Sequence, residues 1–185
     1  MAKLIVFNQV SMDGYFTDAH NDMSWAHKSD PEWDAFTAEN AKGGGVLLFG
    51  RVTYEMMLSF WPTPTARQLA PVVADAMNKL PKIVFSRSLK EATWSNTTLV
   101  KEDPVDAVRG MKKRSERNLV LMGSGSIVSQ FARADLIDEY EIVVNPVILG
   151  SGRTMFEGVD HRMPLKLTGI RRFSNGNIVL WYVRE

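Results

Sequence analysis

Short apolar runs alternate with helical stretches along most of this chain, and strands alone complete it. That order narrows the fold more than any other feature. Lys3 to Val10 reads as a buried strand rich in β-branched residues, ended by the turn signal Ser11-Met12-Asp13-Gly14. A loop runs on to Trp25. Asp30-Pro31 then supplies an N-cap and a first-turn proline for a helix whose stripe is Trp33, Ala35 and Phe36, stopped by Gly43-Gly44-Gly45. Val46 to Phe49 is a second strand, and a helix carrying Met56 and Met57 follows Gly50. One further helix is predicted over roughly Thr65 to Leu80, a strand over Ile83 to Phe85 and a short strand over Thr97 to Val100. Pro104 opens an amphipathic helix to about Arg117. Strand Leu119 to Met122, helix Ile127 to Ala134, strand Tyr140 to Val144 and a last strand Ile178 to Val183 complete the order. Asn175-Gly176 predicts a hairpin, which makes that last strand antiparallel to its predecessor. The pattern predicts an α/β fold as a single domain over 1–185: a mostly parallel sheet, an antiparallel C-terminal edge and helices on both faces.

Composition removes several function classes. The chain has no cysteine, so disulfides and thiolate metal sites are excluded, and its three histidines lie far apart without a ligand spacing; no metal is expected. A net charge of +1 with scattered acids and bases argues against nucleic acid or an anionic membrane as partner. The N-terminal apolar run is broken by Asn8 and Gln9 and is too short for a signal peptide, and no run approaches a membrane span. The expectation is a cytoplasmic protein acting on a small molecule.

In an open α/β sheet ligands sit beyond the carboxyl ends of the strands. Three strand ends here carry small residues, hydroxyls or arginine just where a helix begins. In Gly50-Arg51-Val52-Thr53, glycine allows close approach of a phosphate, the helix start offers free N–H groups, and Arg51 and Thr53 add a charge and a hydroxyl. Gly123-Ser124-Gly125-Ser126 repeats this logic and suits a pyrophosphate. Ser86-Arg87-Ser88 suits a phosphate ester such as the 2′-phosphate that separates NADP from NAD. Each alone reads as an ordinary turn; their joint placement on strand ends carries the argument. Neither GxGxxG nor GxxxxGK[ST] is present.

Val46-Leu47-Leu48-Phe49-Gly50-Arg51-Val52-Thr53-Tyr54-Glu55 resembles the strand-Gly-Arg-x-Thr-aromatic segment of dihydrofolate reductases, and Met122-Gly123-Ser124-Gly125-Ser126-Ile127 their second glycine turn. Ser11-Met12-Asp13-Gly14, Phe60-Trp61-Pro62, Leu136-Ile137-Asp138-Glu139-Tyr140 and Asn145-Pro146-Val147-Ile148-Leu149-Gly150-Ser151-Gly152 resemble the reductase domain of bacterial riboflavin biosynthesis and its stand-alone relatives. The resemblance implies a dihydrofolate-reductase-like three-layer fold and NADPH as cofactor. By resemblance, Gly50, Arg51 and Thr53 hold phosphate, and Ser86 and Arg87 meet the 2′-phosphate. Met122, Gly123, Ser124, Gly125 and Ser126, with the N–H of Ile127, wrap the pyrophosphate, and Gln9, Val10 and Ser11 lie against the nicotinamide. A homodimer is implied in the same way. Tyr15-Phe16-Thr17 stands where the riboflavin reductases carry basic residues that grip a ribose phosphate, which disfavours a riboflavin precursor as substrate.

The chemistry expected is hydride transfer from the nicotinamide to a conjugated or heterocyclic, pterin- or pyrimidine-like substrate. The proton is to come from a side chain or water, with Asp30 and then Asp13 as candidates. Each has a structural alternative, as N-cap and as turn residue. Phe16, Trp25 and Trp61 could form a stacking wall, with core packing as the competing role. The alternatives to this reductase are a strict dihydrofolate reductase, a nucleotide-binding module without turnover, and a partner-binding domain whose glycine turns are empty loops.

Overall fold

A computed structural model describes all 185 residues. Its strands are β1 (Leu4–Ser11), β2 (Val46–Gly50), β3 (Lys82–Phe85), β4 (Thr97–Val100), β5 (Leu119–Met122), β6 (Glu139–Asn145), β7 (Leu165–Arg172) and β8 (Ile178–Arg184). Its helices are α1 (Pro31–Lys42), α2 (Arg51–Phe60), α3 (Pro64–Leu69), α4 (Pro71–Lys79), α5 (Pro104–Arg114) and α6 (Gly125–Arg133), with a 3₁₀ turn at Ser24–Ala26. The strands form one sheet in the order β4-β3-β2-β5-β1-β6-β8-β7. All neighbours from β4 to β6 pair parallel, and β8 and β7 add an antiparallel edge. The expected dihydrofolate-reductase-like architecture is therefore present.

The apolar side chains divide into two layers around the sheet. Leu4 and Val6 of β1, Leu121 of β5 and Tyr140 of β6 pack with Val108 of α5 and Phe131 of α6 on one face. On the other face, Trp33 and Phe36 of α1 pack on Val143, Val179 and Phe173, and Tyr54 of α2 and Met77 of α4 pack on Leu47, Phe49 and Val84. The period-two alternation of the strands sends alternate residues to each layer.

Three local expectations change. The helix read over Thr65 to Leu80 is two helices, because Pro71 has no N–H to continue the first and disfavours helical geometry at Ala70 (φ −144°, ψ 68°). The helix opened by Pro104 ends at Arg114 rather than near Arg117, where extended Ser115 (φ −76°, ψ 138°) caps it. The last hairpin turns through a longer loop than a two-residue Asn-Gly turn. Phe173 N–H bonds to Asn177 C=O, Gly176 N–H bonds to Phe173 C=O, and only Gly176 (φ +91°) is left-handed. That is the three-residue hairpin in which glycine takes the left-handed position.

Candidate active site

Moving outward from β1 through β2 to β4, the chain uses α1 and the helices after β2; returning from β4 to β5 and β6 it uses α5 and α6 on the opposite face. Neighbouring strands β1 and β5 thus send their chains to opposite faces, which opens a crevice at their carboxyl ends. Burial along β1 marks it. Leu4, Val6, Asn8 and Val10 are buried beneath α5 and α6, whereas Ile5, Phe7 and Gln9 stay half-buried in the middle of an eight-stranded sheet. Met122 on β5 is likewise half-buried. A central strand shows partial exposure only where the helical layer above it is open, so the crevice lies over Phe7, Gln9 and Met122.

The first two glycine turns meet at its rim. Gly50 N–H donates to Ser124 Oγ at 2.7 Å. Ser124 N–H and Oγ donate to Thr53 Oγ1 at 3.0 and 2.9 Å. Gly123 N–H donates to Asn8 Oδ1 at 2.6 Å, and Asn8 Nδ2 reaches Gly123 C=O at 3.4 Å. Gly123 (φ +63°) and Ser124 (φ +60°) are both left-handed, and a Cβ on Gly123 would fall 2.8 Å from Thr53 Cγ2. This position needs glycine for its conformation and for the contact. The Ile127 amide, expected to wrap a pyrophosphate, instead donates to Ser124 C=O at 2.8 Å. Thr53 and Gly50 are likewise spent on joining the turns. The amides left at the start of α6 are those of Gly125 and Ser126, which precede the first intrahelical bonds. Ile127 contributes a buried side chain beside Gly50.

The third turn lies on the next strand, since β2 and β3 pair with Gly50 opposite Phe85, but it opens a loop that runs to β4 and not the expected helix, so it offers no helix N-terminus. Ser86 Oγ accepts from the Ser88 and Leu89 amides at 3.2 and 2.9 Å, which bends the loop and leaves Arg87 exposed. A groove of about 590 Å³ joins the first and third turns, lined by Arg51, Glu55, Ser88, Leu89, Lys90 and Glu91. Arg51 is held along it by a 2.9 Å ion pair with Glu55, one helical turn away.

Both candidate proton donors are committed to local partners. Asp30 caps α1, its Oδ1 accepting from the Glu32 and Trp33 amides at 2.8 and 3.0 Å and its Oδ2 from Asn175 N–H at 2.9 Å. Those amides, Trp33's foremost, hold its carboxyl below the usual range. Asp13 accepts from Ser11 Oγ at 2.6 Å and from the Leu149 and Gly150 amides at 3.1 and 2.8 Å. The Ser11 hydroxyl first, then those amides, lower its pKa as well. Each stays ionised at neutral pH, which suits capping and loop clamping and opposes proton donation.

The aromatic candidates part company. Trp25 is half-buried in the 3₁₀ turn against β1, its Nε1 donating to Asp22 C=O at 3.1 Å. Phe16 is buried beneath the start of α6, where a Cβ on Gly125 would fall 2.6 Å from its ring, so it buttresses the second turn. Trp61 sits at the far end of α2, packed with Met57, its carbonyl accepting from Asn78. The Ser11 hydroxyl serves the Asp13 turn, and the Val10 side chain is in the core. Sequence reasoning missed Asn8 and Asn145. A polar residue interrupting an otherwise apolar strand was the available signal for Asn8; Asn145, the last residue of β6, carried no such signal.

With this geometry in place, similarity to known proteins becomes informative. The RibD C-terminal domain model matches residues 2–179. YyaP of Bacillus subtilis is 24% identical over 180 residues, spanning 97% of this chain and 94% of that protein. A crystal structure described as that of a riboflavin biosynthesis protein of Shewanella sp. PV-4 superposes with a TM-score of 0.75 at 25% identity, covering 100% of this chain and 99% of the other. A dihydrofolate reductase of Enterococcus faecalis, solved with NADP(H), superposes with a TM-score of 0.64 at 14% identity, covering 99% and 96%, which shows shared fold. The chain belongs to the RibD C-terminal domain family, whose reductase fold it has.

Proposed function

We propose that this member of the RibD C-terminal domain family is a reductase that binds NADPH across the carboxyl ends of β2, β3 and β5. Its substrate is a small conjugated or heterocyclic molecule of pterin or pyrimidine type, seated over β1 on the α1 side. The observation that carries this reading is the direct bond between Gly50 and Ser124, which makes two anion-suited turns one continuous surface. When bound, NADPH supplies the hydride.

The chain's own groups fit that cofactor. The Gly125 and Ser126 amides and the positive end of α6 face a pyrophosphate. Arg51 and Ser88 line the groove in which a 2′-phosphate would lie, and the unpaired, exposed Arg87 precedes Ser88 in the same loop. Half-buried Phe7, Gln9 and Met122 form a floor for flat rings, with Trp25 close to β1. With Asp13 and Asp30 ionised, the proton arrives through water in the cleft. A strict dihydrofolate reductase would need a carboxylate free to face the rings, and the three amides on Asp30 count against it. Pairing of two copies along the free edge of β7, where Leu167 and Ile170 are exposed, belongs to the same reading.

Titration with NADPH, followed by nicotinamide fluorescence and by thermal unfolding, tests the proposal. Saturable binding and a raised unfolding temperature are expected; an unchanged melting curve in excess NADPH overturns it.

A further inference from the structure

Three amide side chains lie at one end of the sheet, near the carboxyl ends of β1 and β6 and at the amino end of antiparallel β8. Gln9 is on the half-buried side of β1, Asn145 ends β6, and Asn177 precedes β8. The antiparallel register of β6 and β8 pairs Val144 with Ile178, so its next step sets Asn145 opposite Asn177. Asn145 and Asn177 are 0% exposed. Yet Asn145 Oδ1, Asn177 Nδ2 and Asn177 Oδ1 have no hydrogen-bond partner. Buried amides are almost always satisfied, so these two acceptors and one donor call for a partner, water or ligand.

The orientation of these groups is fixed by their surroundings. Asn145 Nδ2 faces the carbonyls of Val10 and Val143 at 3.3 and 3.5 Å, which settles which end of its amide is the nitrogen. The same nitrogen reaches Gln9 Oε1 at 3.3 Å. Gln9 therefore turns its oxygen inward and its Nε2 away from Asn145. Only Gln9 of the three is partly open to solvent, so a ligand meets it first. At 3.3 Å its bond to Asn145 is long for an amide pair and easily exchanged.

No charged side chain bonds to any of the three, and Asp30, the α1 cap that accepts from the adjoining hairpin at Asn175, is spent on backbone amides. Trp33 and Phe173 pack in the neighbouring wall, and the Arg171 guanidinium, 4.8 Å from the Phe173 ring centre, is paired with Glu32 at 3.4 Å. An ion entering such a place would leave water without a counter-charge. A neutral group with both a donor and an acceptor would satisfy the open atoms.

We infer that Gln9, Asn145 and Asn177 form the polar end of the substrate cleft and select an uncharged head group that donates and accepts hydrogen bonds, of carboxamide type, over an anionic or cationic one. This rests on the reading of the crevice over β1 as the substrate site.

Benzamide, benzoate and benzamidine have one shape and three charges. Their binding to the protein saturated with NADP⁺, which occupies any nicotinamide site, is measured by ligand-observed NMR titration. Benzamide is expected to bind roughly tenfold tighter than either ion. Gln9→Leu and Asn177→Leu should each weaken it by about tenfold. Gln9→Glu should move the preference to benzamidine. Equal or tighter binding of benzoate or benzamidine to the native chain overturns the inference. Unchanged benzamide affinity in Gln9→Leu overturns it too, since the open atoms then hold only water. If the native chain fails to bind NADPH, the cofactor reading falls by itself. The three probes are then ranked on the chain alone, where the same order upholds the amide slot and any other order removes it.

Discussion

Ser124 Oγ accepts the Gly50 amide at 2.7 Å across 74 positions of sequence, while Ser124 itself holds a left-handed backbone at φ +60°. One side chain thus ties β2 to the turn after β5 and keeps that turn in a conformation L-residues rarely adopt. Ser124→Ala retains the strained backbone, leaves the Gly50 amide without its partner and removes one of the two bonds to Thr53 Oγ1, the one from the Ser124 N–H remaining. It should lower unfolding free energy by about 1–3 kcal/mol. NADPH affinity should fall with it, because the amides of Gly125 and Ser126 are aimed by the same turn. Urea unfolding and NADPH titration of the variant check both. A Ser124→Gly variant separates the effects, since it relieves the backbone but still lacks the hydroxyl.

Arg87 is exposed and makes no ion pair, in contrast to Arg51, which Glu55 holds. Its charge is therefore free for a ligand. Arg87→Ala should weaken NADPH by about tenfold or more while leaving NADH nearly unchanged, the signature of a lost charge-assisted contact to a 2′-phosphate. Equal loss for both cofactors would assign Arg87 elsewhere. Fluorescence titrations at one fixed ionic strength decide it, because salt screens an exposed cation.

The alternation of buried strands and helices was legible because period and punctuation are local properties: Asp30-Pro31 and Pro104 opened helices as expected, and Gly123 sits where a turn needed it. The joining of the turns was less legible. Thr53 and Ser124 look like phosphate ligands by type, but their hydroxyls bond each other, a fact set by which strands are neighbours. Asp30 shows the same limit. An acidic residue before a proline is a cap in any fold, and only its third partner, the Asn175 amide, shows both oxygens engaged. Asn8 went unread because an amide within a strand gives no sign of what it faces until β5 is placed beside β1.

Lys82 is 1% exposed, its Nζ donating to the carbonyls of Met77, Asn78 and Leu80 at 2.8, 3.2 and 2.7 Å and lying 4.7 Å from the Trp94 ring centre. It closes the carboxyl end of α4, where a cation suits the helix dipole. Lys82→Met fills the volume but strands buried carbonyls, so a loss of about 2–4 kcal/mol is expected in urea unfolding. Burial lowers the Lys82 pKa from 10.5 to about 8. Between those values the unfolded chain binds the proton that the folded chain has released, so stability contributed by this residue rises with pH across the window. The native protein should show that rise between pH 8 and 10.5, and Lys82→Met should lack it.

Glu141 faces the opposite change. It is buried on β6 beneath α1, with Asn40 Nδ2 donating to it at 3.0 Å, and burial pushes its carboxyl above the ordinary value of 4.5. The folded chain then holds a proton that the unfolded chain gives up, so stability from this group is present below the unfolded pKa and is lost as pH rises through the folded one. At neutral pH a buried carboxylate is carried at a cost. Glu141→Gln keeps an oxygen for Asn40 and removes the charge, so it should raise the unfolding temperature at pH 7 by about 2–4 °C, the response of a chain this size to about 1 kcal/mol. The gain should vanish toward pH 4, where the native carboxyl is protonated in the fold. Melting curves of both proteins across that range test the sign: a variant less stable than the native chain at pH 7 would mean that the ionised carboxylate, bonded to Asn40, holds α1 to the sheet.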